Sequence, residues 1–373
     1  MNRIYAKDYK ETERHFEAHI HHLNEMPIEE AIRIFKLEFP VTKTERQAFM
    51  SIPNDVSSEK EFYLDEMQNI RMLFLKYAFS PTAYAFSGLE HPLNVAELDT
   101  EDLSKEYLRQ AEEYALNGYD GMKMLEGYPS LRKAMKRKLC DEVYDRYYSF
   151  LEENGIPVTM HVANPEENWD ISKAGEYAIK MGRVYDSSYP TRLELLGETE
   201  GIMKKHPKLK LALAHFGFMS YDIEQAKRWL DYENTLFDLT PGGEQLLNML
   251  NNWSEWEKFF VEYQDRIIYG TDYYAFPISE NWETSFLRRP KFVRDFFETD
   301  TENDYAGHTF RGVNMDREIL KKIYWDNAMK RFGEPKKINL AYMINKAEEL
   351  LQKPNKRAQY ANHDLEYILK RIK

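Results

Sequence analysis

Two histidines one residue apart, His19 and His21, are the residues of this chain whose type and spacing most directly indicate chemistry. In a β-strand, residues two apart point to the same face and lie about 6.5–7 Å apart along the strand. Two imidazoles at this spacing can bind one metal ion. The pattern is weak alone, because a chain with 10 histidines among 373 residues contains such pairs by chance. It becomes informative if further ligands follow later strands at the same end of the fold.

Other polar side chains stand where predicted strands end. His161 ends the run Val-Thr-Met-His, His215 ends Leu-Ala-Leu-Ala-His, and Asp272 ends Ile-Ile-Tyr-Gly-Thr-Asp. An imidazole or carboxylate directly after a buried apolar run costs free energy unless it is paired or metal-bound. Each residue alone has an ordinary structural explanation, but together they favour a site. Lys123, in the run Gly-Met-Lys-Met, is either a structural ion-pair partner or a further member of it.

Short β-type runs alternate with longer helical patterns, which favours parallel strands joined by crossover helices. The β-type runs cover residues 14–21, 47–52, 83–87, 121–125, 158–161, 209–215, 235–239 and 267–272. The helical patterns cover residues 28–38, 59–76, 100–117, 131–154, 191–205, 221–231, 244–263 and 317–332. These units predict an α/β fold, a (β/α)8 TIM barrel whose reactive groups lie at the C-terminal ends of the strands.

The barrel is predicted to occupy residues 1–335, with a helical insertion at residues 59–76 that covers the barrel or forms a subunit contact. Residues 336–373 are predicted to form a helical C-terminal extension packed on the barrel, with helices at residues 339–352 and 359–373. From Lys330 onward, Lys and Arg outnumber Asp and Glu. This excess of positive charge indicates either a solvated outer face or a contact with an acidic neighbouring subunit. A homo-oligomer is therefore one of the two possibilities.

Composition limits the partners. The formal net charge of −12 argues against a nucleic acid or an anionic membrane, which need a basic face. It leaves room for a polar or anionic small-molecule substrate in a local basic pocket. The N-terminal residues lack the apolar core of a signal peptide, and no apolar run approaches the ~18 residues of a membrane span. The single cysteine, Cys140, excludes an internal disulfide and a cysteine-based zinc site. We therefore expect a cytoplasmic protein.

Taken together, the motifs resemble the amidohydrolase superfamily, and most closely its branch that includes the aminocarboxymuconate-semialdehyde and resorcylate decarboxylases. The similarity spans residues 17–333. The matching segments are Glu-Ala-His-Ile-His at 17–21, Gly-Met-Lys-Met at 121–124, Gly-Ile-Pro-Val-Thr-Met-His at 155–161, His-Pro-Lys-Leu-Lys-Leu-Ala-Leu-Ala-His-Phe-Gly at 206–217, Tyr-Gly-Thr-Asp at 269–272 and Ile-Tyr-Trp-Asp-Asn-Ala-Met-Lys-Arg-Phe-Gly at 323–333. That family usually has Asp two residues before the first histidine, where this chain has Glu17.

The resemblance implies a role for each matching residue. His19, His21, His161 and Asp272 would be the metal ligands. Asp272 would also accept a proton, and His215 would be a catalytic histidine close to the metal. Three imidazoles and a carboxylate suit one Zn²⁺ ion, which would activate a water molecule for attack.

Lys123 is the residue on which the alternative, a site with two metal ions, depends. In binuclear members of the superfamily, a lysine at this place is carboxylated and bridges two metals. We favour one metal, with Lys123 binding an anionic group of the substrate.

The expected function is that of a metal-dependent hydrolase acting on a C–N, ester or lactone bond of a small polar substrate. The alternative is a non-oxidative decarboxylase, a lyase, for an aromatic or unsaturated carboxylic acid. A barrel kept only for assembly or ligand binding is disfavoured, because the five residues of the implied site are all present. Besides Lys123, we expect His91, Tyr273 and Arg311 to contact the substrate, since His91 and Tyr273 follow predicted strands and Arg311 lies in the loop 301–314 after the eighth strand. Tyr274, which follows Asp272 together with Tyr273, is expected to line the pocket as well.

Overall fold

The computed structural model describes residues 14–22, 26–56, 61–240, 243–274, 288–305, 307–353 and 360–373. Its main sheet has nine parallel strand segments in the order β10-β9-β8-β7-β6-β5-β2-β1-β11. The segments are β1 (His15–His21), β2 (Thr44–Met50), β5 (Ala83–Gly88), β6 (Gly121–Gly127), β7 (Val158–Val162), β8 (Leu211–Leu213), β9 (Thr235–Asp238), β10 (Ile267–Ile268) and β11 (Tyr273–Tyr274).

The last two segments close the sheet. β10 pairs with β9, and β11, which follows in the same stretch of chain, pairs with β1. Between the two pairings, the Ala18 amide donates to the Tyr269 carbonyl oxygen. Residues 267–274 therefore act as one interrupted eighth strand, here called the closing segment. The predicted (β/α)8 barrel is confirmed.

Two antiparallel hairpins, β3 (Asn54–Val56) with β4 (Phe62–Leu64) and β12 (Glu302–Tyr305) with β13 (His308–Arg311), accompany the barrel. The helices are α1 (Ile28–Thr42), α2 (Gln68–Ala78), α3 (Thr100–Asn117), α4 (Pro129–Met135), α5 (Asp145–Glu153), α6 (Glu176–Lys180), α7 (Arg192–Lys205), α8 (Ile223–Leu230), α9 (Gly243–Met249), α10 (Trp253–Glu262), α11 (Arg288–Glu298), α12 (Arg317–Lys321), α13 (Asn327–Phe332), α14 (Leu340–Leu351) and α15 (Ala361–Ile372). None of these described helices is long and apolar enough to cross a membrane.

A β-bulge in β1 decides which side chains enter the barrel. Glu17 pairs with Gln47 and Ile20 pairs with Phe49, so two residues of β1 oppose one of β2. Before the bulge, Phe16 and Ala18 belong to the apolar cluster inside the barrel. After it, Ile20 packs in the outer core. The extra residue changes the inward-facing set, so His19 and His21 meet at the mouth.

Local signals placed several helices correctly. Helix α3 has the predicted bounds because the Asp99 side chain caps its first turn and Gly118, at φ 101°, ends it. The single helix predicted at residues 131–154 is wrong, because Lys136 turns left-handed and ends α4 before α5 begins. The pattern at 244–263 likewise divides into α9 and α10 around a 3₁₀ turn.

The predicted insertion and extension also differ in detail. The helical pattern at residues 59–76 begins as the strand β4, and only its later part joins α2. Residues 59–60 and 359 of predicted helices, and residues 1–13 of the predicted barrel domain, lie outside the described residues.

The two C-terminal helices pack on each other, and they contact α1 and α2. Asp364 of α15 accepts from Arg71 Nε at 2.9 Å and from the Ile28 amide at 3.0 Å. Both side chains of this ion pair are buried. The division into a barrel and a separate extension stays a prediction.

Candidate active site

Three side chains converge at the mouth of the barrel, where β1 and the closing segment end. One ligand atom from each of His19, His21 and Asp272 lies within 4.8 Å of the other two. The two histidine Nε2 atoms are 3.0 Å apart. Asp272 Oδ1 lies 3.8 Å from His19 Nε2 and 3.5 Å from His21 Nε2. All three are buried, and this His–His–Asp cluster offers the nitrogen and oxygen atoms that Zn²⁺ accepts.

The outer nitrogen of each imidazole is engaged by an acceptor. His19 Nδ1 donates to Asp238 Oδ2 at 2.6 Å, and His21 Nδ1 donates to the Met50 carbonyl oxygen at 2.7 Å. These bonds place the hydrogens on Nδ1 and leave both Nε2 lone pairs within the cluster. Burial lowers the pKa of both histidines well below their ordinary value, which keeps them neutral. Metal-binding histidines are held by outer partners of this kind.

We expect Asp238→Asn to weaken zinc binding by about 10- to 100-fold, the usual effect of losing an outer partner of a metal ligand. Asp238 Oδ2 accepts from His19, while Oδ1 accepts from the Thr240 amide at 2.6 Å. Asparagine has one acceptor oxygen for these two bonds. Zinc affinity is measured by competition with a chromogenic chelator. The exposed Asp265→Asn change is the control, and equal zinc affinity in the two variants would contradict the expected role.

Asp272 also contacts a guanidinium. Arg289, at the start of α11, donates through Nη1 to Asp272 Oδ2 at 2.9 Å and to the Asp272 carbonyl oxygen. Burial alone would raise the pKa of Asp272, but Arg289 together with His215, His19 and His21 outweighs the effect of burial and holds the pKa below its ordinary value. The carboxylate is therefore ionised, with Oδ1 toward the histidines and Oδ2 on Arg289. Asp272 has a left-handed φ of 51°, a conformation that costs free energy for a non-glycine residue and is enriched at active sites.

His215 lies beside the cluster on a strained turn. Residues 215–218 are consecutively left-handed, with φ between 51° and 58°. Thr240 holds the turn, because its hydroxyl accepts from the His215 amide at 2.8 Å and its carbonyl oxygen lies 3.3 Å from His215 Nδ1. The imidazole centroid is 5.8 Å from that of His19. Burial lowers the pKa of His215 to about 4, so the ring is neutral at pH 7.

His161 lies next to this group but outside the cluster. Its ring centroid is 4.8 Å from that of His215, and its Nε2 donates to the Ala163 carbonyl oxygen at 2.9 Å. Ala163 itself has a left-handed φ of 62°. In this arrangement Nδ1 is the His161 nitrogen left for a further contact.

Lys123 is a buried cation inside the site. Its Nζ donates to His19 Nε2 at 2.8 Å. Burial lowers the pKa of Lys123 to about 8, against the opposing effect of Asp272 and Asp238. An ammonium this close to the cluster can bind an anionic group of a substrate.

The other three predicted substrate contacts lie elsewhere. His91 uses both ring nitrogens, with Nδ1 on the Tyr107 hydroxyl and Nε2 on Glu126 Oε1, each at 2.7 Å. Tyr273 packs against Phe35 of α1, on the outer side of the barrel wall. Arg311 is exposed on β13, and no described contact joins it to the cluster. Their role in substrate binding stays a prediction.

Two site residues, Asp238 and Arg289, were missed from the sequence, while Tyr274 was expected to line the pocket. Asp238 ends the run Thr-Leu-Phe-Asp, so the rule that singled out Asp272 applies to it as well. Tyr274 stacks on His21 with centroids 5.1 Å apart, and the pairing of β11 with β1 puts the two side by side. Arg289 had no local signal, because it lies 17 residues beyond Asp272 in the sequence.

A comparison with family models identifies the family of most of the chain. Residues 85–333, more than half of the chain, match the model of the family described as amidohydrolase. The chain belongs to the amidohydrolase family. The resemblance drawn from the motifs is thereby confirmed. No curated protein matches this amidohydrolase.

Solved structures resemble this amidohydrolase at low sequence identity. An uncharacterized TIM-barrel protein from Bordetella bronchiseptica is 12% identical, with a TM-score of 0.55, over 85% of this chain and 98% of that one. A dihydroxybenzoic acid decarboxylase from a Polaromonas species, with bound manganese and the inhibitor 2-nitroresorcinol, is 15% identical with a TM-score of 0.47, over 86% and 96%. A 4-oxalomesaconate hydratase from Rhodopseudomonas palustris is 13% identical with a TM-score of 0.46, over 87% and 86%.

Proposed function

We propose that this amidohydrolase is a metal-dependent hydrolase acting on a C–N, ester or lactone bond of a small polar substrate. One observation carries the proposal. Two neutral imidazoles present their Nε2 lone pairs 3.0 Å apart beside the ionised Asp272. The Lys123 ammonium reaches only one of these two nitrogens, His19 Nε2, whereas a divalent cation would satisfy all three ligand atoms. The set suits zinc, while the metal bound in vivo also depends on availability.

Within this proposal, His19, His21 and Asp272 hold the metal, and His161 Nδ1 is a further candidate donor. When bound, such a metal supplies a Lewis acid and lowers the pKa of a coordinated water toward ~7. Arg289 keeps Asp272 ionised, so the carboxylate is ready both as a ligand and as the first acceptor of a proton. The Asp238 and Met50 contacts hold the two imidazoles in place before any substrate arrives.

His215 is the proposed acid–base group. Thr240 contacts its Nδ1, so Nε2 is the nitrogen left for the reacting atoms. The neutral imidazole can take a proton from the nucleophile at Nε2, and the imidazolium so formed can give that proton to the leaving group. Protonation of His215 would also place a positive charge beside a developing oxyanion. The strained turn fixes the ring, which avoids an ordering cost during the reaction.

A second candidate, a non-oxidative decarboxylase of an aromatic or unsaturated carboxylic acid, is favoured by the cations at the site. Lys123 Nζ lies 2.8 Å from His19 Nε2, and the Arg289 guanidinium adjoins Asp272. Together they suit a substrate carboxylate next to the metal ligands. His215, once protonated at Nε2, could then give that proton to the carbon that loses the carboxylate.

Product analysis separates the two candidates. The zinc-loaded protein is incubated with a panel of lactones, esters and amides and with a panel of hydroxybenzoates and unsaturated diacids. Hydrolysis, read as proton release and product mass, is expected from the first panel. Carbon dioxide release from the second panel, without hydrolysis of the first, would replace the hydrolase with the decarboxylase.

Metal removal is expected to abolish turnover. Dialysis against dipicolinic acid should lower activity to background, and adding one equivalent of Zn²⁺ per chain should restore it, because one ligand cluster is proposed. Elemental analysis of the protein as purified checks the stoichiometry. Two equivalents per chain would replace the single site with a binuclear one bridged by carboxylated Lys123. Activity that survives complete removal of metal would overturn the metal-dependent mechanism.

A further inference from the structure

A short exposed stretch of chain follows β7, the strand that carries His161, and ends with α6. It has the sequence Asp-Ile-Ser-Lys-Ala-Gly-Glu-Tyr-Ala-Ile-Lys and is here called the 170–180 segment. Large apolar side chains of the segment and of the next residue are open to solvent, with Ile171 70%, Ile179 50% and Met181 48% exposed. A single exposed apolar residue needs no explanation, but a group of them is typical of a surface that binds another protein.

Hydrogen bonds within the segment hold its conformation. The Asp170 carboxylate accepts from the Ser172 amide at 3.0 Å and from the Ser172 hydroxyl at 2.6 Å. The Asp170 carbonyl oxygen accepts from the Ala174 amide at 2.9 Å. The Gly175 carbonyl oxygen accepts from the Ile179 amide at 3.1 Å. A turn thus leads directly into α6, and a surface that is already ordered loses less conformational freedom when a partner binds it.

The side chains of the segment are arranged almost symmetrically about Gly175. The two isoleucines each lie four residues from this glycine. Asp170 and Lys180 each lie five residues from it and have opposite charges. Lys173 and Glu176, at two residues and one residue from it, also have opposite charges. A two-fold axis at Gly175 would therefore bring apolar side chains of two copies together and would pair their unlike charges.

Charge makes a second copy an acceptable partner at this segment. Two chains that each have a net charge of −12 repel each other over most of their surfaces, but the two acidic and two basic side chains of the 170–180 segment cancel. The side chains of Lys173 and Asp170, which form an ion pair at 3.4 Å, are 70% and 43% exposed and can also reach a partner. Gly175 is exposed, and a Cβ built there meets no heavy atom of the described residues within 4 Å, so a second chain can approach it closely.

We propose that the 170–180 segment is the docking site for a second copy of this chain, which binds in antiparallel order about a two-fold axis at Gly175. Ile171 then packs on the partner's Ile179, and Asp170 pairs with the partner's Lys180. Both subunits use the same patch, so each favourable contact occurs twice. The segment is shorter than the roughly 20–30 residues a side of a standard interface, so we expect a reversible dimer. Because the segment follows β7, the partner would lie beside the mouth of the barrel.

The first test is sedimentation velocity of the full chain from micromolar to submillimolar concentration, where a dimer should form as concentration rises. Lys173→Glu places like charges on both sides of the axis and should weaken self-association about tenfold or more. Adding Glu176→Lys to that variant restores opposite charges in exchanged positions and should recover the dimer, which damage to the fold could not do. A chain that is monomeric at every concentration, or a Lys173→Glu variant that associates like the unchanged protein, would overturn the proposal.

Two further variants test the apolar contact and the axis. Ile171→Asp should weaken the dimer, whereas Leu116→Asp, a change at an apolar residue of α3 that is 80% exposed, is the control and should not. A residue on a two-fold axis meets its own copy, so Gly175→Cys should form a disulfide between copies under a mild oxidant. Gly197→Cys, at an exposed position of α7 that likewise has open space around it, is the control and should stay uncoupled. Equal coupling of the two cysteine variants would contradict the proposed axis. Since no step requires metal or turnover, these outcomes are independent of the proposed hydrolase.

Discussion

Replacing Asp272 with asparagine is expected to remove both the metal and the activity. The carboxylate supplies the only charged ligand of the His–His–Asp cluster within the described residues, and it is held between His21 and Arg289. Its loss should weaken zinc binding by more than the ~100-fold typical of outer partners. The several kcal/mol by which a metal stabilises the transition state would be lost together with the metal. We therefore expect kcat/KM to fall by a factor on the order of 10³ or more.

Zinc content after gel filtration and kcat/KM with excess zinc are the two measurements for this variant. Asp304→Asn, an exposed carboxylate on β12, serves as the control and should behave like the unchanged protein. If the Asp272 variant kept stoichiometric zinc, the closing segment would not supply a ligand, and the metal site would have to be sought around His161 and Lys123.

Replacing His215 with asparagine is expected to separate catalysis from metal binding. His215 is outside the group of ligand atoms within 4.8 Å of one another, and Thr240 contacts its Nδ1. Asparagine can keep a polar contact with Thr240 but cannot exchange a proton near neutral pH. We expect kcat to fall by about 10²–10⁴, the usual contribution of an acid–base group, while KM and zinc content change little.

The matched variant is His363→Asn, which removes a half-exposed histidine of α15 that pairs with Glu29. It should leave kcat unchanged. A loss of zinc from the His215 variant would instead make His215 a ligand and favour a binuclear site. An unchanged kcat would transfer the acid–base role to another group, such as Asp272.

The barrel and most of its candidate site could be predicted because both depend on short-range patterns. Apolar runs of strand length, each ending in a histidine or aspartate, are visible without knowing what the strands pair with. The same reasoning applied to the run ending at Asp238 would have found the partner of His19. Helix ends were predictable where a capping residue and glycine marked them, as in α3, and unpredictable where Lys136 adopts a left-handed conformation.

What could not be predicted depends on register and on distant contacts. Alternation alone does not say whether Tyr273 or Tyr274 faces the site, since that requires the pairing of β11 with β1. The bulge that turns His19 inward leaves no signature in the residues around it. Arg289 meets Asp272 through a contact between residues 17 apart in the sequence. Each of these features is fixed by tertiary contacts rather than by local propensity.

The closing segment both completes the barrel and supplies a residue of the proposed metal site. Gly270 lets this segment approach the site, because a Cβ there would lie 2.9 Å from Asp238 Oδ1 and 3.1 Å from His19 Cβ. Thr271, the residue after Gly270, donates to the Glu17 carboxylate through its amide at 2.9 Å and through its hydroxyl at 2.8 Å. The strand that completes the ring thus carries the carboxylate of the proposed metal site. A metal bound there would fasten the first strand to the last, and each tenfold excess of free metal over its Kd would add about 1.4 kcal/mol to the free energy of unfolding. The ion would then stabilise the closed barrel as well as take part in catalysis.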